Sequence, residues 1–116
     1  MKFNEEQVLS EISSIFSPLN QKNPRVIVGI GDDAAVVSTD QHSVITTDMA
    51  IEDIHFNRGW SSAYEIGSKI TVANLADVYA MGADPRYLVV ALTLTGNEDM
   101  NWIKGLAQGI ADTAAK

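Results

Sequence analysis

The chain of 116 residues contains no cysteine, which excludes disulfides, zinc–thiolate sites and catalysis by a thiol. Basic residues are also few, because 8 Lys and Arg stand against 15 Asp and Glu, giving a net charge of −7. Such an acidic chain is a poor partner for nucleic acid or for anionic membranes, so neither is expected to bind. A ligand that carries phosphate would need cations to screen the repulsion.

Long hydrophobic runs and common nucleotide motifs are absent as well. No apolar run could span a bilayer, and the acidic Glu5 and Glu6 stand where a signal peptide needs its apolar core. A soluble, cytoplasmic protein is therefore expected. The chain has no G-x-x-x-x-G-K-[ST] motif, which excludes a Walker-type ATPase. Gly29 and Gly31 form a G-x-G pair, but no helix pattern follows it, so a dinucleotide-binding fold is unsupported.

Hydrophobic residues make up 46% of the chain, which is enough for one globular domain over residues 1–116. The patterning predicts the element order α-β-β-β-α-β-α. The predicted strands cover residues 26–30, 34–38, 43–47 and 87–94, and the alternatives for residues 51–56 are a further strand and an irregular connection. We expect an α+β fold, in which helices cover one face of a mixed, mainly antiparallel sheet of four strands.

The predicted helices have recognisable ends. Asn4 can cap the first helix, and Pro18 is expected to end it, because the residue before proline avoids the α region. Ser62 opens a second helix, which should be apolar nearly all round and therefore buried, with Gly82 as its terminator. Asn97 is expected to cap the last helix.

The strand over residues 87–94 predicts a partner. Its alternate side chains form two sets, either of which is apolar enough to be covered by another molecule if it faces away from the helices. One set is Tyr87, Val89, Ala91 and Thr93, and the other is Leu88, Val90, Leu92 and Leu94.

Acidic residues at the ends of predicted elements point to metal binding. Asp32 and Asp33 follow the Gly29–Gly31 turn, Asp48 ends a predicted strand, and Asp77 lies in the predicted buried helix with Asn74. Carboxylates, hydroxyls and carbonyls without thiols suit hard cations such as Mg²⁺, which bind phosphates. The alternatives are an ordinary turn at residues 32–33 and a solvated carboxylate at residue 48.

Two histidines carry weaker signals. His55 lies in a short apolar stretch beside Glu52 and Asp53, whose charges would favour its protonated, anion-holding form, although a structural role is the alternative. His42 lies in a polar turn and is expected to be solvated.

Four motifs occur in order and together resemble the amino-terminal part of thiamine-monophosphate kinase, in the superfamily of aminoimidazole ribonucleotide synthetase and selenophosphate synthetase. The motifs are GIGDDAA at 29–35, TTD at 46–48, EDIHF at 52–56 and NLADVYAMGA at 74–83. The resemblance implies ATP-dependent, Mg²⁺-dependent phosphorylation of thiamine monophosphate to thiamine diphosphate by direct in-line transfer. It also implies the amino-terminal fold of that superfamily, with the sheets of two copies pairing in a homodimer.

The resemblance also implies roles for individual residues. Asp33 would bind metal at the glycine turn, Thr46 and Thr47 would offer oxygen ligands, and Asp48 and Asp77 would bridge ions. His55 would contact the phosphate of the substrate. Asp32 and Asn74 are further candidates for the site. No residue of this chain is expected to act as a catalytic nucleophile.

The chain departs from the family pattern in several places. Thr46 replaces a serine, Asp53 a glycine and Ala76 a serine. The family continues with a Gly-Gly-Asp nucleotide loop and a carboxy-terminal domain, so this chain is expected to be an amino-terminal piece that is inactive alone. The alternatives are another ATP-using enzyme of the superfamily, resembling aminoimidazole ribonucleotide synthetase or a hydrogenase-maturation protein, or a non-catalytic dimer that binds metal or nucleotide.

Overall fold

The computed structural model describes residues 4–29, 35–39, 42–47, 49–50, 62–94 and 98–116. The predicted order α-β-β-β-α-β-α is confirmed, and with it the α+β class. The helices are α1 (Glu5–Lys22), α2 (Ala63–Ala80) and α3 (Met100–Ala114), and the strands are β1 (Val26–Val28), β2 (Val36–Val37), β3 (Met49–Ala50) and β4 (Ala91–Leu92). None of these helices has both the length and the apolar character that crossing a bilayer requires.

The strands form two separate pairs among the described residues. Strands β1 and β2 are antiparallel, with Val26 opposite Val37, whereas β3 and β4 are parallel, with Met49 opposite Ala91. Each pair has two strands, so a single sheet of four strands stays a prediction.

The third strand lies later in the chain than the predicted residues 43–47. Residues 42–47 have no regular structure, and the strand begins only at Met49. The last strand is likewise limited to Ala91–Leu92 within the predicted 87–94. Strand preference depends on packing against neighbouring strands, so β-branched residues alone do not determine where pairing occurs.

Helix α1 starts as predicted but ends later. Asn4 and Gln7 form a reciprocal capping box at its start. The prediction that Pro18 ends the helix is wrong, because the helix continues to Lys22. Pro18 lacks the N–H that would bond the carbonyl of Ser14, and both residues are exposed, so water can satisfy that carbonyl.

Helix α2 has the predicted ends. The Ser62 hydroxyl accepts from the backbone N–H of Glu65 at 3.2 Å. At the other end Gly82 has φ +74°, its N–H donates to the Tyr79 carbonyl, and the N–H of Ala83 donates to the Val78 carbonyl. This is a Schellman motif, in which glycine allows the left-handed conformation.

Helix α3 begins later than predicted. Its N-cap is Asp99, whose side chain accepts from the backbone N–H of Trp102 at 2.7 Å, whereas Asn97 lies outside the described residues. Asp99 and Asn97 are both good caps, so local sequence alone does not separate them.

The core lies between the helices and the last strand. Ile103 packs with Val8 of α1, and Ile66 of α2 packs with Leu106 and Ile110 of α3. The residues of segment 87–94 that pack against these clusters are Leu88, Val90, Leu92 and Leu94. The structure therefore decides between the two predicted sets, and the outward-facing one contains Val89, which is 49% exposed.

Helices α2 and α3 approach each other closely at two glycines. A Cβ placed on Gly67 would lie 2.1 Å from the Leu106 carbonyl oxygen, and one on Gly109 would lie 2.1 Å from the Tyr64 carbonyl oxygen. Only glycine permits this contact of backbone with backbone.

Candidate metal and phosphate site

Four of the predicted site residues are among those the structure describes, namely Thr46, Thr47, Asn74 and Asp77. The others lie outside the described residues: Asp32, Asp33, Asp48 and His55. The convergence of Asp33, Asp48 and Asp77 on one site therefore stays a prediction.

Thr46 and Thr47 lie in the segment that leads to β3. The Thr47 hydroxyl donates to the Val89 carbonyl at 2.9 Å, which ties this segment to the residues before β4. Because the hydroxyl proton is directed at Val89, the oxygen lone pairs point elsewhere and can serve as a metal ligand. Thr46 is half-buried, and Thr47 is exposed.

Asn74 is buried on α2, with 2% of its surface exposed. Its side-chain nitrogen donates to the Ile70 carbonyl at 3.0 Å, but its Oδ1 is buried without a hydrogen-bond partner. Burying a polar atom without a partner costs free energy, and such atoms are rare in folded proteins. A buried oxygen of this kind is suited to a donor or a cation that binds to the domain.

Asp77 lies three residues after Asn74, and its position corrects one prediction. The sequence predicted that α2 is buried all round and that Asp77 is buried within it, but Asp77 is exposed. Helix α2 buries only the face that contains Ile66, Gly67, Thr71 and Asn74. The opposite side carries Val72 and Tyr79, which are 55% and 62% exposed.

The exposure of Asp77 changes the argument for its role. A buried carboxylate would have needed a compensating partner, whereas an exposed one is accessible to a cation from solvent. Residues 74 and 77 are neighbours on the helix surface because they are three apart. Asn74 and Asp77 thus offer a carbonyl oxygen and a carboxylate from adjacent positions.

The described residues alone do not make a complete metal site. Within the described ranges, no three side chains of His, Cys, Asp or Glu come together in a way that could hold an ion. The oxygen donors that are described, two hydroxyls, one amide carbonyl and one carboxylate, nevertheless match the ligand chemistry of Mg²⁺. The donor set therefore fits a magnesium site to which the aspartates at 33 and 48 would add.

Among the described residues, shifted pKa values occur at Tyr64 and Asp112, which form a polar link between α2 and α3 away from the candidate metal ligands. The Tyr64 hydroxyl donates to Asp112 at 2.8 Å, and the side chain of Gln108 donates to the other oxygen of the same carboxylate. The hydrogen bond to Asp112 raises the pKa of Tyr64. The hydrogen bonds from Tyr64 and then from Gln108 lower the pKa of Asp112. No local pattern in the sequence indicates this link, since Tyr64 and Asp112 are 48 positions apart.

Comparison with known proteins points in the same direction as the motifs. The model of the family "AIR synthase related protein, N-terminal domain" matches residues 31–116. A thiamine-monophosphate kinase of Corynebacterium glutamicum is 40% identical over 69% of this chain and 25% of its own length. Those of Bacillus subtilis and Methanocaldococcus jannaschii are 34% and 36% identical, over 85% and 87% of this chain and 33% and 32% of their own lengths.

The chain thus spans about a quarter to a third of the length of these curated relatives. No solved structure matches the chain.

Proposed function

Because the chain belongs to the family of AIR synthase related proteins, we propose that it is part of a kinase that converts thiamine monophosphate to thiamine diphosphate with ATP. The choice of thiamine monophosphate as the substrate rests on the names of its relatives, which are 34–40% identical to this chain. The acidic chain, with a net charge of −7, supports a role for cations between the protein and these phosphates.

Mg²⁺ would be held by the carboxylates of Asp33, Asp48 and Asp77 and by the hydroxyls of Thr46 and Thr47. When bound, it would neutralise phosphoryl oxygens and keep the attacking and leaving oxygens in line. The exposed carboxylate of Asp77 and the partnerless Oδ1 of Asn74 are the structural observations that support this assignment. Asn74 and Asp32 are proposed as additional ligands or supports.

Phosphoryl transfer is proposed to be direct, from ATP to the phosphate of thiamine monophosphate. Such a transfer depends on positioning and on electrostatic stabilisation rather than on a protein nucleophile. The role of this chain is then to bind and orient the two phosphate-bearing molecules, with His55 as the proposed contact to the substrate phosphate. We assign the reaction to the cytoplasm, the compartment expected from the sequence.

The test compares Asp77→Asn with the wild type in the complete protein. We expect Asp77→Asn to weaken Mg²⁺-dependent ATP binding by about 10-fold, which corresponds to about 1.4 kcal/mol, and to lower turnover of thiamine monophosphate. The matched control is Glu6→Gln, which removes the charge of an exposed carboxylate on α1 and should change neither quantity. Unchanged ATP binding and turnover in Asp77→Asn would exclude this role for Asp77.

A substrate screen separates the kinase from the alternative enzymes of the superfamily. The complete protein is incubated with ATP, Mg²⁺ and either thiamine monophosphate or an aminoimidazole precursor. Formation of thiamine diphosphate supports the kinase, whereas turnover of the aminoimidazole precursor supports the other enzyme class. Binding of Mg²⁺ and nucleotide without turnover of either substrate would support the non-catalytic module.

We further propose that two copies pair through the strand region, meaning the described residues of 26–50 together with 87–94. Five large apolar side chains among the described residues of this region are exposed, namely Ile27 (64%), Val36 (48%), Val44 (39%), Ile45 (72%) and Val89 (49%). Exposed apolar side chains in such number are typical of a surface that binds another protein. Pairing of this region would also join the strands into the larger sheet that the sequence predicts.

Sedimentation of the complete protein tests this dimer. We expect Ile45→Lys to convert the dimer into a monomer, because an ammonium group would be buried in an apolar interface. Val72→Lys is the matched control, since Val72 is also exposed but lies on α2. A monomeric wild type, or a dimer that only Val72→Lys dissociates, would contradict pairing through the strand region.

A further inference from the structure

A cavity of about 250 Å³ lies where the start of β1, the segment after β2 and the turn after α2 meet. The predicted metal ligands that the structure describes, Thr46, Thr47 and Asp77, do not line it. We call this space the arginine cavity. Its polar and charged lining residues include Arg25, Arg86, His42, Ser38, Thr39 and Ser43. Two arginines from distant parts of the chain therefore line one cavity in a protein whose net charge is −7.

Among the described lining residues, the carboxylate that can compete with an anion for Arg86 is Asp84, and it competes weakly. The Asp84 Oδ2 lies 3.8 Å from the Arg86 guanidinium, at the long end for an ion pair, and 52% of the Arg86 side chain and 83% of the Asp84 side chain are exposed. Pairs with such exposure and distance stabilise little, so an incoming anion can replace Asp84.

The backbone around the cavity is held in place by contacts between distant residues. The N–H of Ser38 donates to the Arg25 carbonyl at 2.6 Å, which fixes the segment after β2 beside the start of β1. The side chain of Asn23 donates to the Arg86 carbonyl, which fixes the turn after α2 to the end of α1. The two arginines therefore start from anchored backbone, and an anchored cation loses less freedom when it binds a ligand.

The end of α2 also disfavours an anion, since the C-terminal end of a helix carries partial negative charge. Here the carbonyls of Val78 and Tyr79 already accept hydrogen bonds from Ala83 and Gly82. Those carbonyls are thus partly neutralised at the cavity, whereas the guanidinium groups carry full charges.

We propose that the arginine cavity binds a small phosphate-bearing anion without Mg²⁺. A guanidinium presents its donors in a planar fork that matches two phosphate oxygens, and hydroxyl groups complete the coordination of such anions. The volume is below that of pockets for drug-sized molecules and suits a phosphate or diphosphate group. This proposal uses none of the described candidate metal ligands and does not rest on the proposed function.

Calorimetric titration of the complete protein with inorganic diphosphate, with EDTA present and without Mg²⁺, tests the proposal. We expect Arg86→Ala to weaken binding by about 10-fold. Asp84→Asn should strengthen binding, because it removes the competing carboxylate. Lys69→Ala is the matched control, since it removes an exposed positive charge on α2 outside the cavity and should leave binding unchanged.

The outcomes distinguish anion binding in the cavity from general electrostatic attraction and from the proposed kinase activity. Equal weakening by Arg86→Ala and Lys69→Ala, or no binding by the wild type, would overturn the proposal. Unchanged binding in Arg86→Ala would also overturn it, provided that thermal unfolding shows the variant to be folded. Since no turnover is measured and Mg²⁺ is absent, failure of the proposed kinase would leave these results unaffected.

Discussion

The helices and the strand region bury their apolar residues to very different extents. Ile103 and Leu106 of α3 are 0% and 1% exposed, whereas Ile27 and Ile45 of the strand region are 64% and 72% exposed. The same residue type, isoleucine, is thus found at both extremes in one chain. The inward-facing side chains of segment 87–94 pack against the helical core, whereas outward-facing apolar side chains of the strand region are left exposed.

The difference follows from how each part makes contact. Helices α2 and α3 come close enough to share a core because Gly67 and Gly109 admit the backbone of the other helix. The described strands are at most three residues long and pair only two by two. A two-stranded pair is marginal in water and has little surface to cover itself.

The largest expected effect is a difference in the free energy of unfolding between variants of the helical core and of the strand region. Leu106→Ala should lower the free energy of unfolding by about 3 to 4 kcal/mol, since it removes a buried side chain and leaves a cavity in the helical core. Ile45→Ala, the matched change in the strand region, should alter it by no more than about 0.5 kcal/mol in dilute protein. Urea denaturation measures both. Similar losses for the two variants would show that the strand region is packed as tightly as the helices.

The next effect tests the glycine contact between α2 and α3. Gly67→Ala should destabilise the protein by about 2 to 3 kcal/mol, because the new Cβ would overlap the Leu106 carbonyl and push the helices apart. The measurement is again urea denaturation. Gly105→Ala on α3 is the milder comparison, since its Cβ would lie 3.3 Å from the Ala63 side chain, a tight contact without the backbone overlap at Gly67, and it should cost less stability. If Gly67→Ala is as stable as the wild type, helices α2 and α3 are farther apart than a contact of backbone with backbone requires.

The smallest expected effect concerns the exposed link between Tyr64 and Asp112. The pKa of Asp112 is lowered in the folded protein, mainly by the hydrogen bond from Tyr64. The stability that this bond contributes is therefore present above the ordinary carboxyl range and is lost as the pH falls through the folded pKa of Asp112. The pKa of Tyr64 is raised, so the same contribution is lost again at alkaline pH as Tyr64 ionises.

Tyr64→Phe should consequently be slightly less stable than the wild type at neutral pH and equally stable in acid. Thermal unfolding as a function of pH measures this difference. Tyr79→Phe is the control, because Tyr79 is an exposed tyrosine on the same helix and should show no such dependence. A difference between Tyr64→Phe and the wild type that persists in acid would contradict the assignment to Asp112.

The candidate site shows where sequence reasoning succeeds and where it fails. Asn74 was predicted to be a buried polar residue, and it is, with an oxygen that lacks a partner. Asp77 was predicted to be buried for the same reason and is exposed. Both predictions used the apolar composition of α2, but composition does not tell which side of a helix another element covers.

The end of α1 and the start of α3 show a second kind of limit. Proline at 18 is a strong local signal for a helix end, yet the affected carbonyl is on the solvent side and the helix continues. At the start of α3 both Asn97 and Asp99 are suitable caps, and the structure uses Asp99. Local signals therefore predict that an end is near but not which residue forms it.

The sequence by itself determined the order of helices and strands, the oxygen chemistry of the candidate ligands and the acidic charge. These properties depend on composition and on hydrogen bonds between residues a few positions apart, which a linear pattern contains. Only the tertiary structure decided which alternate residues of segment 87–94 face the core, which side of α2 is buried, and that Arg25 and Arg86 line one cavity. Those outcomes depend on contacts between residues far apart in the chain, and their free energy comes from surfaces that meet only after folding.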